Sequence, residues 1–270
     1  MNPNVTRPKA NQFRIPSRLL EPLWLRSRES LVDNGQVYDP VAATACRQCK
    51  LNPDCLKGNI DQKQLLYTTL AAQCDAVVSQ FMKRHPSGWV VNVGCGLDTR
   101  FFRLDNGRCR WLELDIDENL LWRQKLFHRS ERYQMHCGSV NNLDWLQSFP
   151  IRDGEPLMVV CELALLGCNM AQLTAFLHAL GRRFRQFEAC FVVAGDLCES
   201  RPGKLMGCDS YAHGLKDPHC LLNLIPWADS MTLHSPIDKP CMRWRIWQRL
   251  LNRINFLKYR VTPVVIHLNV

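Results

Sequence analysis

The strongest periodicity lies between residues 61 and 85, where Leu66, Leu70, Cys74, Val77, Val78 and Phe81 share one helical face. Pro86-Ser87-Gly88 stops that helix. The pattern then changes to short apolar runs alternating with amphipathic stretches. Residues 89–93 read as a buried strand, and the segment from Asp98 as a short helix. Residues 110–115 form the next predicted strand and 118–127 the next helix. A strand at 157–161, a helix carrying Leu173, Phe176, Leu177, Leu180 and Phe184, and a strand at 189–194 continue the alternation. Continuous apolar strands separated by amphipathic helices predict an α/β fold, with a mostly parallel sheet covered on both faces.

The ends of the chain are less regular. The first sixty residues contain Pro3, Pro8, Pro16, Pro22, Pro40 and Pro53, and are expected to form an irregular N-terminal segment or lid. The remainder, 61–270, is expected to be one domain. Residues 196–240 lose periodicity and carry Gly203, Gly207, Gly214 and Pro218, so they read as a loop-rich cover. A helix over 241–256 and a β segment over 261–270 close the chain.

Composition narrows the function classes. With 46% apolar and 22% charged residues in 270, the chain has an ordinary globular composition. No apolar run approaches the roughly 18 residues of a membrane helix, so no membrane partner is expected. The start, MNPNVTRPKANQF, is polar and basic, unlike a secretory signal, and a cytoplasmic location is expected. In that compartment the 14 cysteines read as small hydrophobes rather than a disulfide framework; Cys95, Cys161, Cys168 and Cys190 sit within apolar runs. Cys46-x-x-Cys49 with Cys55 offers three soft ligands where a closed zinc site needs four, so no metal is expected.

The net charge of +9 favours an acidic partner. Arg243, Arg245, Arg249, Arg253, Lys258 and Arg260 interleave with Trp244 and Trp247, a composition that nucleic-acid stacking could use. However, Trp244, Trp247, Leu251 and Ile254 recur at helical spacing, so they read as a buried stripe and the arginines as its solvated reverse. Nucleic-acid binding is therefore not expected.

The candidate chemistry sits at the end of the first sheet strand, in Val90-Val-Asn-Val-Gly94-Cys95-Gly96-Leu-Asp98-Thr99-Arg100. Two glycines allow a tight turn and close approach of a ligand to bare backbone. The third glycine of the dinucleotide fingerprint is replaced by Thr99, which counts against NAD or FAD. Asp98 and Thr99 occupy the expected N-cap of the next helix. The following strand ends at Asp115, where an acidic side chain can accept hydrogen bonds from a ribose. A ribose-bearing ligand without a pyrophosphate, such as S-adenosylmethionine, fits this arrangement.

VVNVGCGLDTRFFRL followed by WLELDIDENLLWRQKLF resembles the leucine carboxyl methyltransferase family, and in particular its shorter bacterial branch of tetracenomycin-type polyketide O-methyltransferases. YDPVA at 38–42, GSVNNLDWL at 138–146 and VVCELALL at 159–166 are similar to further segments of that family. The resemblance implies a Rossmann-like class I methyltransferase fold with a small loop or helical lid, and S-adenosylmethionine as cofactor. It places Gly94, Cys95 and Gly96 against the cofactor's methionine portion, with Asp98 and Thr99 beside them. It places Asp115 on the ribose and Ser139, Val140 and Asn142 along the adenine. Glu162 lines the pocket mouth as the candidate catalytic residue.

The chain also departs from the family pattern. The helix before the first strand has Leu70-Ala-Ala-Gln73-Cys74-Asp75, with no arginine for the cofactor carboxylate; Ser139 stands in place of an acid; and Glu162-Leu-Ala-Leu-Leu-Gly167 lacks the family's glycine and tyrosine. His213, His219 and His234 fall in the irregular cover, and none forms an identifiable general base. An ionised carboxylate needs no base, whereas a phenol usually does. The expected reaction is thus O-methylation of a small acidic substrate, free or carrier-bound, at a carboxylate or a hydroxyl. The alternative is a methyltransferase-like fold that binds or regulates without turnover.

Overall fold

The computed structural model describes residues 13–50, 58–148, 151–152, 154–239 and 241–270. Its centre is a seven-stranded sheet in the order β3-β2-β1-β4-β5-β7-β6. The strands are β1 (Trp89–Val93), β2 (Arg110–Asp115), β3 (Tyr133–Cys137), β4 (Leu157–Cys161), β5 (Glu188–Val193), β6 (Ser230–His234) and β7 (Val264–Asn269). β1 to β5 pair in parallel, and β7 runs antiparallel between β5 and β6. All five residues of β1 and of β4 are buried, as expected for strands covered on both faces. The strand order reverses between β1 and β4, with β2 and β3 on one side and β5 on the other, which opens a crevice at the carboxyl ends of these parallel strands.

Helices cover both faces: α1 (Ser17–Glu29), α2 (Pro40–Arg47), α3 (Ile60–Arg84), α4 (Arg100–Leu104), α5 (Asp117–Leu126), α6 (Met170–Arg183), α7 (Arg201–Met206), α8 (Ile246–Leu251) and α9 (Asn255–Val261). One core layer joins α1, α2 and α3 to inward residues such as Val90, Trp111 and Val192. The other packs α6 against Val91, Val159 and Phe191. Asn169 caps α6 by accepting from Gln172 N, and Gln172 returns the bond to the Asn169 backbone.

Two regions differ from the sequence reading. The first sixty residues hold α1 and α2 rather than irregular chain. Pro22 lies inside α1, and Arg26 and Glu29 lie on its buried face, so both breaker and polarity obscure the helix in the sequence. The helix expected over 241–256 is divided into α8 and α9, and Ile254, expected in the buried stripe, is exposed. Trp244 and Leu251 are buried as expected.

Candidate cofactor and acceptor site

Among the described residues, a cavity of about 430 Å³ opens at the carboxyl ends of β1, β2 and β4. Gly94 and Gly96 carry the turn out of β1 with φ of +67° and +47°, in the left-handed region that glycine adopts without penalty. A Cβ on Gly94 would meet the Ala164 Cβ at 2.2 Å, so this loop and the 3₁₀ turn after β4 approach each other at bare backbone. Gly94 and Cys95 donate their N–H groups back to Leu114 O, fixing the loop across β2.

Asp115 ends β2 in the cavity wall. Its Oδ2 accepts from Gly96 N at 2.6 Å, and Oδ1 accepts from Ile116 N and Asn119 Nδ2, both at 2.8 Å. A carboxylate offers about four lone-pair directions, so one remains for a ligand. Asn119 Oδ1, also in the wall, is buried and has no partner among the described residues. Asn119 Nδ2 ties the two side chains together, so the open direction on Asp115 and the unpartnered Asn119 Oδ1 are close neighbours at the wall. Neither the distance nor the identity of Asn119 was legible from the motif.

Beneath the cavity lies a dense ionic network. Arg100 is fully buried and contacts Asp75 at 2.7 Å, Asp98 at 2.8 Å and Glu162. Arg103 reaches Asp75 and Asp39, and Arg26 from α1 reaches Asp39 at 3.2 Å and Leu97 O at 3.1 Å. Asp39 also caps α2 and accepts from Thr99 Oγ1. Burial opposes ionisation of Asp98, but Arg100, Arg103, Arg26 and Arg123 hold its carboxyl well below the usual range. For Glu162, burial prevails over Arg100 and leaves the carboxyl raised. Glu113, one layer deeper, is pushed up to about 7 by burial, against the pull of Arg123.

The structure brings Gly94, Cys95, Gly96, Asp98, Asp115 and Glu162 together in the cavity wall. Thr99 is fully buried below it and serves Asp39 instead. Asp98, not Thr99, caps α4 by accepting from Arg100 N. Ser139, Val140 and Asn142 lie off the cavity wall, in a turn where Ser139 Oγ accepts from Asn142 N. Gln73 points elsewhere and donates to Ser235 O at 2.7 Å. The cations at the cavity are Arg18 and Arg26, supplied by α1, a helix that the proline-rich N-terminal sequence does not predict. His213 is held between Ala194 N and Cys168 O, a structural role.

The metal question falls partly outside the described residues, because Cys55 is not among them. Cys49 donates its thiol to Ala45 O, and burial pushes both Cys46 and Cys49 up to about 11, away from the thiolate a metal needs. No described helix is long and apolar enough to cross a membrane.

Residues 26–148 match the family model of leucine carboxyl methyltransferase. The tetracenomycin polyketide synthesis O-methyltransferase of Streptomyces glaucescens is 32% identical over 98 residues, 36% of this chain and 36% of that protein. The match thus spans about a third of the relative's length. Two solved structures share the fold at low identity. A DUF574 family protein from Streptomyces avermitilis is 8% identical, with a TM-score of 0.57 over 97% of this chain and 99% of its own. Magnesium protoporphyrin IX methyltransferase from Synechocystis, with bound S-adenosylhomocysteine, is 12% identical, with a TM-score of 0.51 over 91% and 93%. The fold is that of a class I methyltransferase, and the sequence resembles the leucine carboxyl methyltransferase family through β1, β2 and the elements around them.

Proposed function

We propose, on that resemblance and on the cavity, that the chain is an S-adenosylmethionine-dependent O-methyltransferase acting on a carboxylate of a small acidic metabolite. The observation that carries the reading is the cavity wall at the crevice of the sheet. There Gly94 and Gly96 leave backbone bare, and Asp115, with one lone-pair direction left, lies beside the buried, unpartnered Asn119 Oδ1.

Charge supports the same ligand. The wall itself carries Asp98, Asp115 and Glu162 against Arg18 and Arg26, one carboxylate in excess, which suits a ligand of net positive charge. S-adenosylmethionine carries a sulfonium, an ammonium and one carboxylate. When bound, it supplies an electrophilic methyl carbon whose bond to sulfur breaks as the acceptor oxygen attacks, leaving a neutral thioether. Arg26 stands at the wall where it can meet the single carboxylate, replacing the arginine that α3 lacks. The transfer removes one positive and one negative charge, so a wall with compensated charges and an apolar lid favours it. Arg100 compensates Glu162, while Leu19, Pro22, Leu163 and Ala164 exclude water. The roles of Ser139, Val140 and Asn142 at the adenine rest on the resemblance alone.

Native mass spectrometry of the purified chain tests the cofactor: adenosylmethionine or adenosylhomocysteine is the expected co-purifying mass. Titration calorimetry with both compounds and with NADH follows, and no heat from either adenosyl compound would overturn the assignment. Labelled cofactor offered with a panel of carboxylated and hydroxylated acids tests the acceptor. A methyl ester releases its label as methanol in mild alkali, and alkali-stable label excludes the carboxylate. Cofactor binding with no product from any acid would favour the non-catalytic reading.

A further inference from the structure

From Lys239 to Val270 the chain carries Lys239, Arg243, Arg245, Arg249, Arg253, Lys258 and Arg260, and no aspartate or glutamate. Arg243, Lys258 and Arg260 are held by Glu29, Asp238 and Asp196. Arg245, Arg249 and Arg253 have no carboxylate partner among the described residues, and they recur every fourth position. Met242, Ile246, Leu250 and Ile254 lie in the same stretch, exposed by 83%, 69%, 51% and 41%, with Ile246 and Leu250 one turn apart on α8. Phe256, at the start of α9, is exposed by 69%. Arg249 Nη1 lies 3.2 Å from Met242 Sδ, so a guanidinium and an exposed apolar side chain meet here. Successive turns link the stretch: Arg249 N bonds to Arg245 O, and Arg253 N to Leu250 O.

We infer that this face, formed by residues 242–256, adsorbs the protein to an anionic lipid bilayer. Isolated exposed aliphatic residues are ordinary, but five large exposed apolar residues within fifteen positions that also hold three arginines without a carboxylate partner among the described residues make a basic, apolar surface. The apolar side chains protrude singly. A fluid bilayer accepts such tips at any register, whereas a protein partner must supply a matching recess for each. Guanidinium groups pair bidentately with lipid phosphates at the depth of the flanking arginines. Adsorption needs no spanning helix, in keeping with the absence of one among the described residues. The face is also tied to the cavity lid. Arg243, beside Met242, holds the buried carboxylate of Glu29 on α1, one turn from Arg26 in the cavity wall.

Co-sedimentation of the full chain with vesicles decides the matter. Vesicles of phosphatidylcholine alone are compared with vesicles containing about 30 mol% phosphatidylglycerol, at low and high salt. The expected result is retention by the anionic vesicles, weakened by salt. R245Q/R253Q and I246S/L250S, each confirmed folded by an unchanged thermal midpoint, should each lower the apparent partition coefficient by roughly tenfold or more. Failure of the wild-type chain to bind anionic vesicles at low salt overturns the inference without any variant. So does equal retention of wild type and both double variants. Wild-type binding to RNA or to an acidic peptide, or dimerisation through this face, in place of vesicle binding also overturns it.

Discussion

At the scale of single residues, the wall of the cavity separates side chains that hold the loop from those free to meet a ligand. Asp115 does both, because it already accepts from Gly96 N, Ile116 N and Asn119. Asp115→Ala should weaken adenosylmethionine binding by about 1.5–3 kcal/mol, roughly ten- to a hundredfold, as charged hydrogen bonds are lost. Calorimetry measures this, and an unchanged dissociation constant would move the ribose role to Asn119 alone. Glu162 presents the opposite case. Its raised carboxyl lies against Arg100, which Asp75 and Asp98 also hold, so Glu162→Gln should leave the network in place. The expected outcome is cofactor binding within about threefold of wild type and methyl transfer reduced by roughly tenfold or more. Lost cofactor binding would place Glu162 on the cofactor instead. These two acids were legible because each ends a buried apolar strand in the sequence. Asn119, Arg26 and Asp39 were not, since their partners lie in other elements: Arg26 meets Leu97 across 71 positions.

At the scale of elements, burial on both faces decided what could be read. β4 is a continuous apolar run, β1 and β5 are apolar but for Asn92 and Glu188, and sequence and structure agree on all three to within a residue. β3 and β6 stand at the two edges of the sheet and were not anticipated. In β3 only Tyr133 and Met135 are buried, and β6 has no fully buried residue, so neither leaves an apolar run. α1 was hidden by Pro22 and by charges that become buried only through partners: Arg26 through Asp39, and Glu29 through Arg243 and Gln64. The contact between the β1 loop and the turn at Ala164 makes a further test. Gly94→Ala would meet Ala164 at 2.2 Å and force a left-handed φ on a side chain. It should lower stability by roughly 1–3 kcal/mol and abolish detectable cofactor binding. Thermal denaturation with and without adenosylhomocysteine reads both effects. Wild-type stability together with wild-type affinity would mean that the loop does not cradle the ligand.

Across the whole molecule, charge is distributed unevenly: a net +9 coexists with one carboxylate in excess at the cavity wall, and the segment from Lys239 onward carries cations and no acid. This arrangement dictates how stability responds to pH. Asp98 and Glu29 are held below their ordinary values by arginines that outweigh burial, Arg100 first for Asp98 and Arg243 first for Glu29. The stability they confer is complete above the unfolded carboxylate range, near 4, and is lost as pH falls through their folded values. Glu113 acts in the opposite sense. Burial raises it to about 7, so the folded protein keeps a proton that the unfolded chain releases above pH ~4.5. Its contribution is present below that point and declines as pH rises through about 7. The two trends together predict a maximum of thermal stability near pH ~5, a steep acid limb, and a shallower decline that levels off above pH ~8. Glu113→Gln should lower stability overall, because Arg123 loses its buried partner, while removing the decline between pH ~5 and ~8. Melting temperatures of both proteins across pH 4 to 9 separate these effects. A variant that keeps the neutral-side decline would show that Glu113 ionises normally beside Arg123, and that the decline belongs to Glu162, the other raised carboxyl at the site.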